Sequence, residues 1–131
     1  MSREVVIVEG VRTAFGRLGG SLKDMFASQL GGIALQGLLD KTKIHEKTHV
    51  DSVFMGSALH CSHSLNPARH TMLRTSLPQS TSASYVEMQC GSAIDSINHA
   101  AWKILANQAD VVIAGGFESY SQMPFKFPSC T

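Results

Sequence analysis

Apolar residues in this chain occur as short β-branched runs and as longer helical stripes, and the two patterns alternate. Val5-Val6-Ile7-Val8, bounded by Glu9-Gly10, predicts a central parallel strand. Between Ala27 and Leu39 the spacing of Leu30, Ile33, Ala34, Gly37 and Leu38 predicts a helix. Glycines at 31, 32 and 37 weaken that helix by up to about 1 kcal/mol each, so it must be held by packing, with small residues allowing close approach on the buried side. The polar stretch from Asp40 to His49 reads as a helix exit and solvated linker, and Val50 to Met55 as a second strand stopped by Gly56. Asn66-Pro67 marks the next helix, with asparagine as cap and proline at the first helical position. Ala68, Met72 and Leu73 are expected to face inward there, before Leu77-Pro78 ends the helix.

A third strand is expected up to Gln89, with Val86 and Met88 on one side. Ile94, Ile97, Ala101, Ile104 and Leu105 then gather on one stripe that can cover a sheet. Ser92 is the expected N-cap, and Asp95, three residues on, completes a variant of the capping box. Val111-Val112-Ile113-Ala114, closed by Gly115-Gly116, suits a strand buried on both faces. Strands alternating with helices predict an α/β fold: a mostly parallel sheet with helices packed on it. There is no internal repeat and no low-complexity segment.

Composition narrows the class. At 131 residues, 44% apolar and 16% charged, the chain has the makeup of one globular domain with a real core. A formal charge of +1 and the lack of a basic run give no reason to propose nucleic acid. No apolar segment approaches the length of a membrane span, and the four apolar residues after Met1-Ser2-Arg3-Glu4 are too few for a secretory signal, so a soluble, cytoplasmic protein is expected. Cys61, Cys90 and Cys130, odd in number and widely spaced, make no disulfide framework and are expected to be reduced.

Candidate chemistry concentrates at Cys90, just outside a predicted helix N-terminus, where aligned amide dipoles favour a thiolate. A cysteine at a strand–helix junction is also an ordinary small hydrophobe, and from the cysteine alone both readings stay open. His60-Cys61-Ser62-His63, with His70 beyond, contains zinc-ligand types, but its spacing is not a recurrent zinc pattern and a polar loop explains it; no metal is assigned. The glycines between Gly10 and Gly20 match neither the P-loop nor the dinucleotide fingerprint, so an ordinary strand-to-helix connection is preferred to a phosphate cradle. His99 lies about two turns into the helix after Cys90, too far along the axis to activate it.

Several stretches, taken in order, resemble one family. Val11-Arg12-Thr13 with Gly19-Gly20-Ser21-Leu22, then Leu65-Asn66-Pro67-Ala68-Arg69, Gln89-Cys90-Gly91-Ser92 and Val111 through Gly115-Gly116-Phe117-Glu118-Ser119 are similar to the nucleophile-bearing half of the thiolases, the acetyl-CoA acyltransferases. The match departs at Leu65, where the family commonly has glutamine, and at Cys90-Gly91-Ser92-Ala93, where many members read Cys-Ala-Ser-Gly. The resemblance implies an incomplete, thiolase-like half-fold, with residues 1–122 as the N-terminal domain and 123–131 as the start of a lid region or tail.

It also implies that Cys90 is the nucleophile, that its backbone N–H serves one oxyanion, and that acyl groups pass between acyl-CoA or 3-ketoacyl-CoA and coenzyme A. Coenzyme A thioesters would be substrates, with no permanently bound cofactor. In the family the base histidine and a second cysteine come from a C-terminal half, and Cys61, Cys130 and His99 do not replace them. The strand from Ser84 to Gln89 would lie at a subunit interface, pairing a homo-oligomer or a complementing thiolase half. The competing expectation is a non-catalytic thiolase-derived subunit or remnant that pairs with a complete thiolase. A redox or metal-binding module using His60, Cys61 and His63 is the third.

Overall fold

The computed structural model describes residues 3–59 and 64–125. Its elements run α1 (Ala27–Thr42), α2 (Ile44–Lys47), β1 (Ser52–Gly56), α3 (Pro67–Met72), β2 (Ser82–Val86), α4 (Ser92–Leu105) and β3 (Val112–Gly116), followed by a 3-10 turn at Tyr120–Gln122. The strands form a parallel sheet in the order β2-β1-β3. Ser52 is level with Ser82 and Val112, and Gly56 with Val86 and Gly116, so all strands finish together at one carboxyl edge. The α/β architecture expected from the alternation is the one observed.

Side-chain alternation along β1 divides the molecule. Val53 and Met55 are buried with Leu35 and Leu39 of α1, Ala68 and Met72 of α3, Ile113 and Phe117. Each such fully buried large side chain contributes roughly 1.5–3 kcal/mol relative to an exposed one. Ser52 and Phe54 point to the opposite face, where α4 lies: Lys103 donates to Ser52 Oγ, and the Phe54 ring stands 5.8 Å from that of His99. Asn66 caps α3 as expected, its side chain accepting from Arg69 N at 2.9 Å. Its Nδ2 also donates to Ala83 O, which fastens the helix start to β2.

Several expectations about burial change. Val5-Val6-Ile7-Val8 joins no strand, and Val6, Ile7 and Val8 stand exposed, with Ile7 at 84%, while Val5 is half-buried; the run is tethered by Arg3, which bonds Asn107, Ala109 O and Asp110, and by a Glu9–Lys41 ion pair. Strand preference is largely a packing preference, and the described residues leave Val6, Ile7 and Val8 uncovered. β3, expected to be buried on both faces, is an edge strand in which only Ile113 is buried. In α1 the buried residues are Ala27, Ser28, Gly31, Gly32, Leu35 and Leu39, whereas Ile33 is exposed. The helix is turned so that Gly31 meets its neighbours: a Cβ there would lie 2.9 Å from the Phe117 ring and 3.0 Å from Thr71 Cγ2. Leu73, expected inward, is exposed while Ala68 and Met72 are fully buried.

α4 departs most. Its buried residues are Ser92, Ser96 and Ala100, while Ile94, Ile97 and Leu105 of the expected covering stripe are exposed. Small side chains, not the apolar stripe, rest on the sheet. No described helix is long and apolar enough to cross a membrane.

Candidate active site

The site forms where α4 meets the carboxyl edge of the sheet, the edge at which open α/β sheets commonly bind ligands. Two glycines allow the approach. A Cβ on Gly56 would lie 2.4 Å from the Ser92 carbonyl oxygen, and one on Gly116 would lie 2.8 Å from Ala93 Cβ. Only hydrogen side chains at the ends of β1 and β3 let the first turn of α4 settle there. The strand ends are also laced together, Ser57 N donating to Val86 O and Phe117 N to Gly56 O at 3.0 Å.

Cys90 is solvent-exposed on the turn between β2 and α4. Gly91 N donates to Met88 O and Ser92 N to Gln89 O, which folds the turn, and Gln89 sits at a φ of 49°. That left-handed conformation is costly for a residue with a Cβ, by roughly 1–2 kcal/mol. The sulfur-bearing residue is one position outside the helix cap, so the N-terminal placement expected from the sequence is present. The cap itself differs: it is Gly91, and no side chain caps the helix. Ser92 is instead the first helical residue, and its hydroxyl lies 2.8 Å from Met88 N, 2.6 Å from Gln89 O and 3.0 Å from Ser57 O. Met88, expected beside Val86 on the inward side, is half exposed.

Glu118 locks the adjoining loop. Its Oε2 accepts from Ala58 N at 2.8 Å and Leu59 N at 3.3 Å, while Oε1 is buried with no partner among the described residues. Ser119 donates to Met25 O, carrying the end of β3 back to the entrance of α1. Gly56, Ser57 and Glu118 were not singled out by sequence reasoning as parts of the site. The Gly-Gly-x-Glu-Ser stretch is visible in the sequence, but nothing in its spacing says that the carboxylate reaches Ala58.

The other candidates do not join this site. His99 lies in α4 with Nδ1 2.9 Å from Asp95 O and its ring beside Phe54 and Trp102. His70 lies in α3, with Nε2 3.4 Å from Arg74 Nη2. His60, Cys61, His63 and Cys130 lie outside the described residues. Among the described residues no group of three or more His, Cys, Asp and Glu could hold a metal ion. In the glycine-rich loop Gly20 N and Lys23 N donate to carbonyls of the loop itself, and α1 begins only at Ala27, which fits a connection rather than a cradle.

Comparison with known proteins agrees along nearly the whole chain. Residues 5–129 match the model of the thiolase N-terminal domain. An acetyl-CoA acetyltransferase of Chromobacterium violaceum is 40% identical over 125 residues, which is 95% of this chain and 32% of that protein. The mitochondrial 3-ketoacyl-CoA thiolase of Homo sapiens is 40% identical over 124 residues, 94% of this chain and 31% of that protein. The crystal structure of human mitochondrial 3-ketoacyl-CoA thiolase superposes with a TM-score of 0.82, covering 88% of this chain and 29% of that one. This chain therefore spans about a third of the length of the relatives it matches. With the parallel sheet, the Cys90 turn and the match over residues 5–129 all in agreement, the chain belongs to the thiolase family, of which it carries the N-terminal domain.

Proposed function

We propose that this chain supplies the nucleophile half of a thiolase-type acyltransferase, with Cys90 as the residue that takes the acyl group. The observation that carries the reading is the position of Cys90: exposed, on a tight turn, one residue outside the cap of α4, at the common edge of the parallel strands. Relatives named acetyl-CoA acetyltransferase and 3-ketoacyl-CoA thiolase support the substrate class, coenzyme A thioesters, with no permanently bound cofactor. In the forward half-reaction the Cys90 sulfur attacks the 3-keto carbon of a 3-ketoacyl-CoA. An S–C bond forms, the C–C bond breaks, and its electron pair leaves on the acetyl-CoA enolate, which takes a proton. Coenzyme A thiolate then attacks the thioester and releases acyl-CoA. The Cys90 backbone N–H is the expected donor to one oxyanion. The base and the remaining donors would come from a longer parent chain or a complementing polypeptide.

The same proposal takes residues 1–122 as the domain and 123–131 as the start of a lid or tail. It places a subunit contact, with a second copy or a complementing half, along Ser84 to Gln89; Ser82 and Ser84 on the outer strand β2 are exposed, which favours an approach there. A cytoplasmic location is also part of it, although the names of two relatives place those proteins in the mitochondrion.

Intact-mass measurement after brief exposure to acetyl-CoA or acetoacetyl-CoA, with Cys90→Ala as control, tests the reading. One acetyl group confined to Cys90 is expected. A folded protein that takes no adduct sinks the claim that this chain performs the first half-reaction and favours the non-catalytic subunit.

A further inference from the structure

We propose that Ser92 is the positioning residue of Cys90, its hydroxyl holding the Met88–Cys90 turn against the ends of β1 and α4. This deepens the nucleophile reading and rests on it. Ser92 is 2% exposed, and its Oγ faces one donor and two acceptors: Met88 N, Gln89 O and Ser57 O. A hydroxyl has one proton and two lone pairs, so it accepts from Met88 N–H and donates to one carbonyl at a time. Both arrangements bind the same turn, either to itself through Gln89 or to the end of β1 through Ser57.

Two backbone bonds, Gly91 N to Met88 O and Ser92 N to Gln89 O, fold the turn, and the Ser92 hydroxyl ties it to the end of β1. Met88, Gln89 and Cys90 are all exposed, so apolar burial does not fix their positions. Gln89 is also in a left-handed conformation, which costs energy unless the surroundings over-determine it. Ser92 bonds the Met88 amide, one residue before Gln89, and the carbonyl of Gln89 itself. Its second acceptor is itself anchored, because Tyr85 OH reaches Ser57 O at 3.3 Å and Glu118 holds the next two residues of that loop. Loss of the hydroxyl frees the turn and lets Cys90 wander from its attack geometry while the apolar core stays intact, since that core contains no residue of α4.

The test follows alkylation of Cys90 by iodoacetamide, peptide by peptide, over a series of pH values in the full chain. Ser92→Ala should slow alkylation of Cys90 about five- to tenfold at neutral pH, the loss of about one hydrogen bond, and displace its pH profile. Ser92→Thr, which keeps the hydroxyl, should restore both. Adding Gln89→Gly to Ser92→Ala should recover part of the rate, because glycine adopts the positive φ without penalty. A folded Ser92→Ala protein with unchanged Cys90 rate and profile overturns the proposal, since a merely structural serine would shift only the melting temperature. Amide exchange in the unaltered protein reads the same bond without substitution: Met88 N–H should be protected, and exchange at the free-peptide rate overturns the proposal as well. Alkylation needs no acyl-CoA, so the failure of acetylation at Cys90 remains a separate result.

Discussion

The two faces of α4 contradict the usual division of a helix into an apolar inside and a polar outside. The face against the sheet carries Ser92, Ser96 and Ala100, all buried; the face turned away carries Ile94, Ile97 and Leu105, all exposed. On the inner face the helix sits so close to the strand ends that large side chains have no room. Ser96 meets its own requirement by donating to Ser92 O one turn back, and Ser92 by bonding the nucleophile turn. The outer face leaves the apolar side chains of Ile94, Ile97 and Leu105 in water. The lesson is that a hydrophobic stripe reports that a face will be covered, not by what.

The contrast can be broken most forcefully on the inner side. Gly56→Ala would set a methyl 2.4 Å from the Ser92 carbonyl oxygen, and backbone cannot yield as a flexible side chain does. A loss of about 2–3 kcal/mol in denaturant unfolding is expected, together with a slower Cys90. A substitution that costs nothing would mean that α4 does not rest on β1 as described. On the outer side the combined change Ile94→Gln, Ile97→Gln and Leu105→Gln should alter stability by no more than about 0.5 kcal/mol per site. It should also lower self-association in sedimentation velocity, because the stripe is what a second molecule would bury. Association that survives the triple change would be the contact proposed along Ser84 to Gln89, at β2 and the turn after it.

The smallest effect belongs to the end of β1 remote from α4's first turn. Asp51 accepts from Val111 N and Asp110 N, and these bonds, Val111 first, hold its carboxyl below the ordinary carboxylate range. A lowered folded value means the contribution is complete above the unfolded value, near pH 4, and is lost as pH falls through the lowered folded value. Asp51→Asn should therefore flatten the acid side of the stability profile below about pH 4, measured by unfolding at several pH values. Glu9, held low by Gly10 N–H and then Lys41, would keep part of the slope. An unchanged acid limb would exclude the Asp51 bonds as its source.

Most of what was legible along the chain is local. The start of α3 follows from a side chain that caps an amide three residues on and a proline whose fixed φ suits the first turn. The segments forming β1 and β3 follow from short apolar runs closed by glycine, and the parallel sheet from helices placed between strands; β2, Ser82–Val86, starts earlier and stops three residues short of the expected Gln89, where the Cys90 turn takes over. Cys90 could be placed outside a helix N-terminus because the 3.6-residue period begins just after it. The likeness to the thiolases added the role of that cysteine, which periodicity does not contain.

What only the tertiary structure decided involves distant partners or competition for burial. Ser92 reads as a cap because serine commonly is one, yet its hydroxyl is occupied by the turn behind it and by Ser57, 35 residues away. Glu118 reaches Ala58 across 60 residues, and no short spacing announces that. The Val5-Val6-Ile7-Val8 run has strand propensity but finds no cover for Val6, Ile7 and Val8, so it stays outside the sheet. In α1 and α4 the periodicity was right and the buried face was not. A helix turns toward the sheet the side that permits closest approach, and where Gly31 and Ser96 allow tighter contact than Ile33 and Ile94, the small residues go inward. Sequence determined most helical and strand segments through local bonding and periodicity; the tertiary structure decided which faces meet and whether the Val5-Val6-Ile7-Val8 run pairs at all, because both depend on the surface opposite.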